Sequence, residues 1–304
     1  MSVQEVDYIW MDGEIVDWVE AKTHVMTHCL HYGTGVFEGI RAYKSESNLH
    51  VFRFKEHLDR LFESAKLYFM KPEWSKEELE EATIELIRRN ELMDDCYIRP
   101  LIYRGYGSIG VNPLETPVRA SIIAIPFGKY IEAEGAECCT SSWRRIPGDI
   151  LPPESKACGN YINSVLAKVE AVKNGFDEAI FLDDKGYVSE GSGENIFILK
   201  DDALITPSVY SSILIGITRD TVMKLADDMG LKVVERPVTR FELYNCDEAF
   251  FCGTAAEITP IIRVDHHNIG DGTIGPMVEE LASKFDDIVR GINKDYENWL
   301  TPIY

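Results

Sequence analysis

The sequence has no stretch near the roughly 18 consecutive apolar residues of a membrane-spanning helix, so no membrane partner is expected. Its first ten residues carry Glu5 and Asp7 where a secretory signal would be basic and then apolar. Positive charge is scarce: 31 Lys and Arg stand against 51 Asp and Glu, a net charge of −20. A field of that sign repels phosphate backbones and anionic lipid, so no nucleic-acid partner is expected either. Cysteine is present but unpatterned. The seven residues (Cys29, Cys96, Cys138, Cys139, Cys158, Cys246, Cys252) are odd in number and form no C-x-x-C pair, and there is no Asn-x-Ser/Thr acceptor. A reducing cytoplasm is the expected compartment. Internal repeats and low-complexity segments are also missing.

What is present is enough for a packed interior: 304 residues, 45% apolar and 11% aromatic, a length that suggests two domains. Asp12-Gly13 between two short alternating runs predicts a hairpin. Helical spacing starts after Phe54, and residues 75–89 read as a helix with Ser75 as N-cap and Glu78 completing a capping box. Strands are expected at residues 97–103 and 119–125. Periodicity is lost between Pro126 and Ala136, where Gly128 and Gly135 appear. We therefore expect a small α/β domain over 1–125, an interdomain loop over 126–136 and a large domain over 137–304. In the large domain, strands accumulate between helices at 160–173, 218–229 and 276–293, and Gly230 closes the second of these helices.

Two patterns invite chemistry that their context refuses. Gly105-Tyr106-Gly107-Ser108-Ile109-Gly110 matches a dinucleotide-binding loop, but Val111-Asn112-Pro113 follows where a helix should open. His24, His28 and His31 have the spacing of one helix face, but no carboxylate or thiolate completes a coordination shell. No metal site is expected, and Cys138-Cys139 reads as a pair of small strand residues.

Three segments do not read as packing. Lys156 lies among small residues just before a helix, where partial desolvation lowers the cost of losing its proton and suits it to Schiff-base chemistry. Ser189-Glu190-Gly191-Ser192-Gly193-Glu194-Asn195 puts two carboxylates in a glycine-rich strand end next to an apolar run, where acids need partners. Gly216-Ile217-Thr218-Arg219 opens a helix and is echoed by Gly253-Thr254-Ala255-Ala256; such amide nests bind phosphate. Together they supply an amine, an acid and a phosphate cradle, the parts that a pyridoxal phosphate site needs.

Six ordered motifs carry a resemblance. They are Tyr32-Gly33-Thr34-Gly35-Val36-Phe37-Glu38-Gly39-Ile40-Arg41, Tyr97-Ile98-Arg99-Pro100, the run from Lys156 to Tyr161, the run from Glu190 to Asn195, Gly216-Ile217-Thr218-Arg219, and Gly253-Thr254-Ala255-Ala256-Glu257. In this order they resemble the branched-chain amino acid aminotransferases of pyridoxal phosphate fold type IV, from Asp7 to the Gly275-Pro276 region. The resemblance implies an α/β (α+β) chain of two domains, the larger with a β-barrel-like sheet core and flanking helices. It also implies pyridoxal 5'-phosphate as cofactor. Lys156 would hold it covalently and move the substrate proton, Glu190 would pair with its ring nitrogen, and Tyr161 would meet its phenolate oxygen. Arg60, Ile217, Thr218 and Thr254 would receive the phosphate, and Glu194 would be buried behind the site.

On the substrate side, the resemblance implies that Tyr32, Phe37, Tyr97, Phe127 and Tyr130 wall an apolar pocket. Arg99 would supply a cation at its edge, and Thr254 and Ala255 would offer amides to the α-carboxylate. The implied partners are branched-chain amino acids and keto acids with glutamate and 2-oxoglutarate, and a second copy of the chain in a homodimer or higher oligomer. D-amino acid and R-amine transaminases and aminodeoxychorismate lyases share the cofactor half and remain as alternatives. Because both substrates and cofactor are anionic, Lys156, Arg60 and Arg99 are expected to form a basic pocket in an acidic shell.

Overall fold

Asp12 and Gly13 both have positive φ, 52° and 100°, as a two-residue turn between twisted strands requires. They join β1 (Tyr8–Met11) to β2 (Glu14–Asp17), paired antiparallel. This is a computed structural model of the protein, and it describes residues 3–128 and 135–304. The chain divides into two units. The first comprises Met1–Gly128, Ser155–Gly159 and Ile288–Tyr304; the second comprises Lys129–Glu154 and Asn160–Asp287.

The first unit continues with α1 (His28–Tyr32), β3 (Gly35–Phe37), β4 (Ile40–Lys44), β5 (Leu49–Phe52), α2 (Phe54–Leu67), α3 (Lys76–Arg89), β6 (Cys96–Arg104) and β7 (Val118–Pro126). The capping box of α3 forms as the sequence predicts: Ser75 accepts from the Glu78 amide and Glu78 reaches back to Ser75. Leu58, Leu61 and Ala65 of α2 and Leu79 and Leu86 of α3 bury their shared stripes against Ile40, Ile98, Ile102 and Ile122 of the sheet. Strand order is β17-β5-β4-β6-β7-β1-β2, with β3 on β6; β17 (Leu300–Pro302) pairs with β5. Residues 105–117 are turns and irregular backbone, so no helix follows Gly110.

The second unit contains β8 (Ala136–Arg144), α4 (Tyr161–Lys173), β9 (Glu178–Leu182), β10 (Val188–Gly191), β11 (Asn195–Lys200) and β12 (Ala203–Thr206). These are followed by α5 (Ile217–Asp228), β13 (Lys232–Glu235), α6 (Arg240–Tyr244), β14 (Glu248–Gly253), β15 (Glu257–Val264), β16 (His267–Asn268) and most of α7 (Pro276–Val289). The sheet runs β10-β9-β8-β15-β14-β11-β12-β13 with β16 on β15, a curled half-barrel with a mixed strand pattern. Its inner residues alternate, so that Ile180, Ile196, Ile198 and Phe251 share one core while Phe197 and Phe250 stack at 5.2 Å.

The structure differs from the expected assignment of all of 137–304 to the large domain. Two short segments return to the first unit: Ala157 bridges Val36, and β17 extends the first sheet while Ile303 enters its core. Neither segment is long enough to carry a period of its own, and only the partner strand reveals where it belongs.

Helix α4 lies on the sheet through Ser164, Ala167 and Ala171, small residues that allow close approach to Cys139, Ala179 and Phe181. Its larger apolar residues, Ile162, Val165, Leu166 and Val169, are exposed.

Candidate active site

In the first unit the site is built around a five-residue return of the chain. The Lys156 carbonyl accepts from the Phe37 amide at 3.0 Å, the Lys156 amide donates to Ser64 Oγ at 3.2 Å, and Ala157 bridges Val36. The segment thus meets β3 through an isolated antiparallel bridge. Gly33 is required opposite it, since a Cβ there would stand 2.9 Å from the Gly159 Cα.

This register brings Lys156 Nζ 5.3 Å from the centre of the Phe37 ring, and the Arg99 guanidinium lies over the same ring at 4.7 Å. Arg99 also donates to the Tyr97 hydroxyl at 2.6 Å and stacks on the Tyr97 ring, which in turn meets Phe127 at 5.0 Å. Gly39 makes room for this arrangement, as any Cβ there would collide with the Tyr97 hydroxyl. Arg99 Nε is buried and has no hydrogen-bond partner among the described residues. Phe37, Tyr97, Arg99, Phe127 and Lys156 therefore form one cluster.

Of the other expected wall residues, Tyr32 is not part of this cluster. Tyr32 ends α1 with its ring against His28 and its hydroxyl accepting from the Gly110 amide at 3.2 Å. Tyr130 falls outside the described residues. Both His28 nitrogens are engaged, one with Thr34 Oγ1 and one with the Gly110 carbonyl.

Arg60 does not contribute the isolated positive charge that the sequence suggests. Its Nε and terminal nitrogen donate to the two oxygens of Glu38 at 2.6 and 2.9 Å, and His57 Nδ1 contacts the same carboxylate at 2.7 Å. Glu38 is fully buried. Burial alone would raise its pKa, but Arg60 and His57 outweigh it and hold the carboxyl well below the usual range. Burial lowers the pKa of His57, which stays neutral against the pull of Glu38. The three side chains sum to no net charge, so Arg60 brings directed N–H donors rather than a basic field. Glu38 and His57 were missed by sequence reasoning; an acid inside an otherwise apolar motif was the available signal.

In the second unit, Glu190 at the end of β10 is buried and held from three sides. The Arg145 guanidinium lies 2.8 Å from Oε1, and Asn195 Nδ2 and the Leu214 amide donate to Oε2 at 3.1 and 3.0 Å. Asn195 also donates to the Leu214 carbonyl, and its Oδ1 occupies the place where a Cβ of Gly216 would stand. One amide side chain therefore ties the acid to the start of α5. That helix begins at Ile217 and Thr218 with no side-chain cap. Thr254 and Ala255 sit in the turn between β14 and β15, and the Cβ position of Gly253 is 3.6 Å from the Gly193 carbonyl. Tyr161 is the first residue of α4. Arg145 was not legible in the sequence, because nothing local marks it as the partner of Glu190.

Glu194 is buried as expected, and burial reinforced by the charge of Glu178 pushes its pKa up to about 8. It is a neutral acid at physiological pH, accepting from the Gly193 amide at 3.0 Å.

The sequence profile of the family described as Amino-transferase class IV matches residues 35–264. The chain belongs to the class IV amino-transferase family. The branched-chain-amino-acid aminotransferase of Salmonella typhimurium is 46% identical, covering 100% of this chain and 99% of that one. The crystal structure of the branched-chain aminotransferase from Thermoproteus uzoniensis with norvaline superposes with a TM-score of 0.95 at 45% identity, covering 99% of this chain and 100% of that one. The crystal structure of the Escherichia coli branched-chain amino acid aminotransferase gives 0.96, also at 45% identity, with 99% of this chain and 100% of that one covered. A further branched-chain amino acid aminotransferase, complexed with N-(5'-phosphopyridoxyl)-L-glutamate, gives 0.95 at 46% identity and 99% coverage of each chain. Class IV membership thus rests on the full length of the chain.

The raised pKa of Glu194 sets a pH dependence. In the unfolded chain its carboxyl ionises near the usual value of about 4.3, whereas the folded protein keeps the proton up to about 8. The unfolded state binds fewer protons between those values, so the contribution of this group to stability falls as pH rises through the window and levels off above it. Unfolding free energies from urea titrations of the unsubstituted protein and Glu194→Gln should diverge across that window by up to about 1.4 kcal/mol per pH unit, with the variant the more stable at pH 9. Parallel profiles would contradict the assignment.

Proposed function

We propose that this class IV enzyme transfers the amino group between leucine, isoleucine or valine and 2-oxoglutarate in a ping-pong sequence, with pyridoxal 5'-phosphate as cofactor. The observation that carries the reading is that an amine, Lys156, and a guanidinium, Arg99, whose Nε has no hydrogen-bond partner among the described residues, share the ring of Phe37. An apolar wall with a cation at its edge suits a branched side chain in one half-reaction and the γ-carboxylate of glutamate in the other.

The residues present fit the cofactor. A ring nitrogen needs a buried, fixed carboxylate, and Glu190 is one. A phosphate needs a helix start open to it, and α5 starts at a glycine with no side-chain cap. When bound, pyridoxal phosphate supplies an exchangeable aldehyde and a ring that takes up the electron pair left at the substrate Cα. Lys156 Nζ would hold it covalently and would take the proton from Cα. Glu190 would hold a proton on the ring nitrogen, with Arg145 and Asn195 keeping that carboxylate oriented. Tyr161 would meet the phenolate oxygen. Arg60, held by Glu38, would be a phosphate donor, as would Ile217, Thr218 and Thr254. Thr254 and Ala255 would take the α-carboxylate, while Phe37, Tyr97 and Phe127, with Tyr32 and Tyr130, would exclude water from the side chain. The D-amino acid, R-amine and lyase alternatives find no support in the names of the relatives.

A cytoplasmic setting suits seven cysteines that are all free in the structure, and among the described residues no helix is long and apolar enough to cross a membrane. The exposed face of α4 supports association with a second copy. Fully burying an exposed branched side chain is worth about 1.5–3 kcal/mol, and these half-exposed ones would each contribute a part of that on being covered.

Incubation with a panel of amino donors and 2-oxoglutarate should form glutamate from L-leucine, L-isoleucine and L-valine. Turnover of D-alanine or an R-amine with none of L-leucine would contradict the reading. Arg99→Ala should slow reaction with 2-oxoglutarate at least tenfold more than reaction with branched keto acids, about 1.4 kcal/mol; equal slowing would remove Arg99 from this role. Val165→Asp should shift sedimentation towards monomer, and an unchanged assembly would exclude the α4 face.

A further inference from the structure

Cys29 and Cys158 are far apart in sequence, yet their sulfurs converge. A Cβ on Gly35 would stand 2.8 Å from Cys29 Sγ and 3.0 Å from Cys158 Sγ, so the thiols face each other across the side chain that Gly35 lacks. They share a hydrogen bond. Cys29 lies on α1 and Cys158 two residues past Lys156, both within the first unit. Both are half-buried, within reach of a small reagent, whereas the other five cysteines are buried.

We propose that Cys29 and Cys158 form a modification site: a dithiol that a low-molecular-weight disulfide oxidises reversibly to an intramolecular disulfide, tying α1 to the segment that carries Lys156. Cytoplasmic disulfides of this kind are transient and redox-sensing rather than structural. Cys158 is the attacking sulfur. The hydrogen bond from Cys29 and the charge of Arg99 lower its pKa against the effect of burial. The same hydrogen bond, burial and the neighbouring sulfur raise that of Cys29.

The Cys158 thiolate attacks one sulfur of R–S–S–R, forming a bond to S–R and expelling R–S⁻. Cys158 is then uncharged, which removes the repulsion that kept the proton on Cys29. The Cys29 thiolate attacks Cys158 Sγ, expels the second R–S⁻ and closes the protein disulfide. Two electrons leave the protein, the reagent is reduced to two thiols, and the two protein protons end on them. The crosslink fixes the backbone beside the amine-bearing residue, so the redox state of the pair is registered where Lys156 is held.

The inference does not depend on the transaminase reading, because its test reads sulfur alone. The full chain is treated with glutathione disulfide and mapped by mass spectrometry of a non-reduced digest. The expected result is a peptide pair joining Cys29 to Cys158, with loss of two of the seven thiols and full recovery on adding dithiothreitol. Cys29→Ser should retain glutathione on Cys158, and Cys158→Ser should leave Cys29 unmodified. A crosslink between other cysteines, glutathione retained on either position of the unsubstituted protein, or an unchanged thiol count would overturn the proposal. Glutathione on Cys29 in Cys158→Ser would overturn the order of attack. The map of the unsubstituted protein decides the crosslink whether or not the variants fold.

Discussion

A carboxylate removed from water must be paired, solvated by N–H donors or left protonated. Among the described residues six such groups are buried, and Asp183 is the simplest case, one of its oxygens accepting from the Lys185 and Tyr187 amides. Glu38 takes Arg60 and His57; Glu190 takes Arg145, Asn195 and the Leu214 amide. Glu178 takes Lys168 at 2.6 Å and the Ala179 amide. Glu248 receives the Met277 and Val278 amides at the start of α7. Glu194, with Glu178 nearby, keeps its proton. The solutions at Glu38, Glu190 and Glu248 tie segments 22 or more positions apart, and the first two hold the side chains from which the proposed chemistry is built. The fixed orientation of Glu190 and Arg60 is therefore a consequence of burying charge.

The second constraint is the return of residues 155–159 to the first unit. A lysine on a mobile loop could not be aimed, but here both backbone polar groups of Lys156 are engaged by Phe37 and Ser64. β3 brings Phe37 under both Lys156 and Arg99, so the proposed reactive amine and the proposed selecting cation share one platform. Rigid placement of this kind reduces the entropy that must be lost when substrate is oriented.

Much of this was legible in the sequence. The hairpin at Asp12-Gly13, the capping box at Ser75 and the helix after Phe54 carry local signals, and the structure has all three. The cluster of Phe37, Tyr97, Arg99 and Lys156 was reached through motifs rather than periodicity, since β3 has only three residues. What stayed hidden depends on pairing across the chain. Glu38 and Arg60 are 22 positions apart, and Arg145 lies in no motif at all. The sequence made Arg60 a bare cation because it cannot show that the acid of the Phe37-Glu38-Gly39 motif neutralises it. In α4 the branched residues are the stronger hydrophobic signal in the sequence, yet Ala167 and Ala171 are the ones packed on the sheet.

The account stands on Lys156 as the amine that takes the cofactor, and covalent trapping tests this directly. The protein is loaded with pyridoxal phosphate, reduced with borohydride and digested, and the phosphopyridoxyl group is located by mass spectrometry. The account predicts the group on the peptide containing Lys156 and its disappearance in Lys156→Ala. Its recovery on Lys168 or Lys185 in the unsubstituted protein, with Lys156 unmodified, would contradict it.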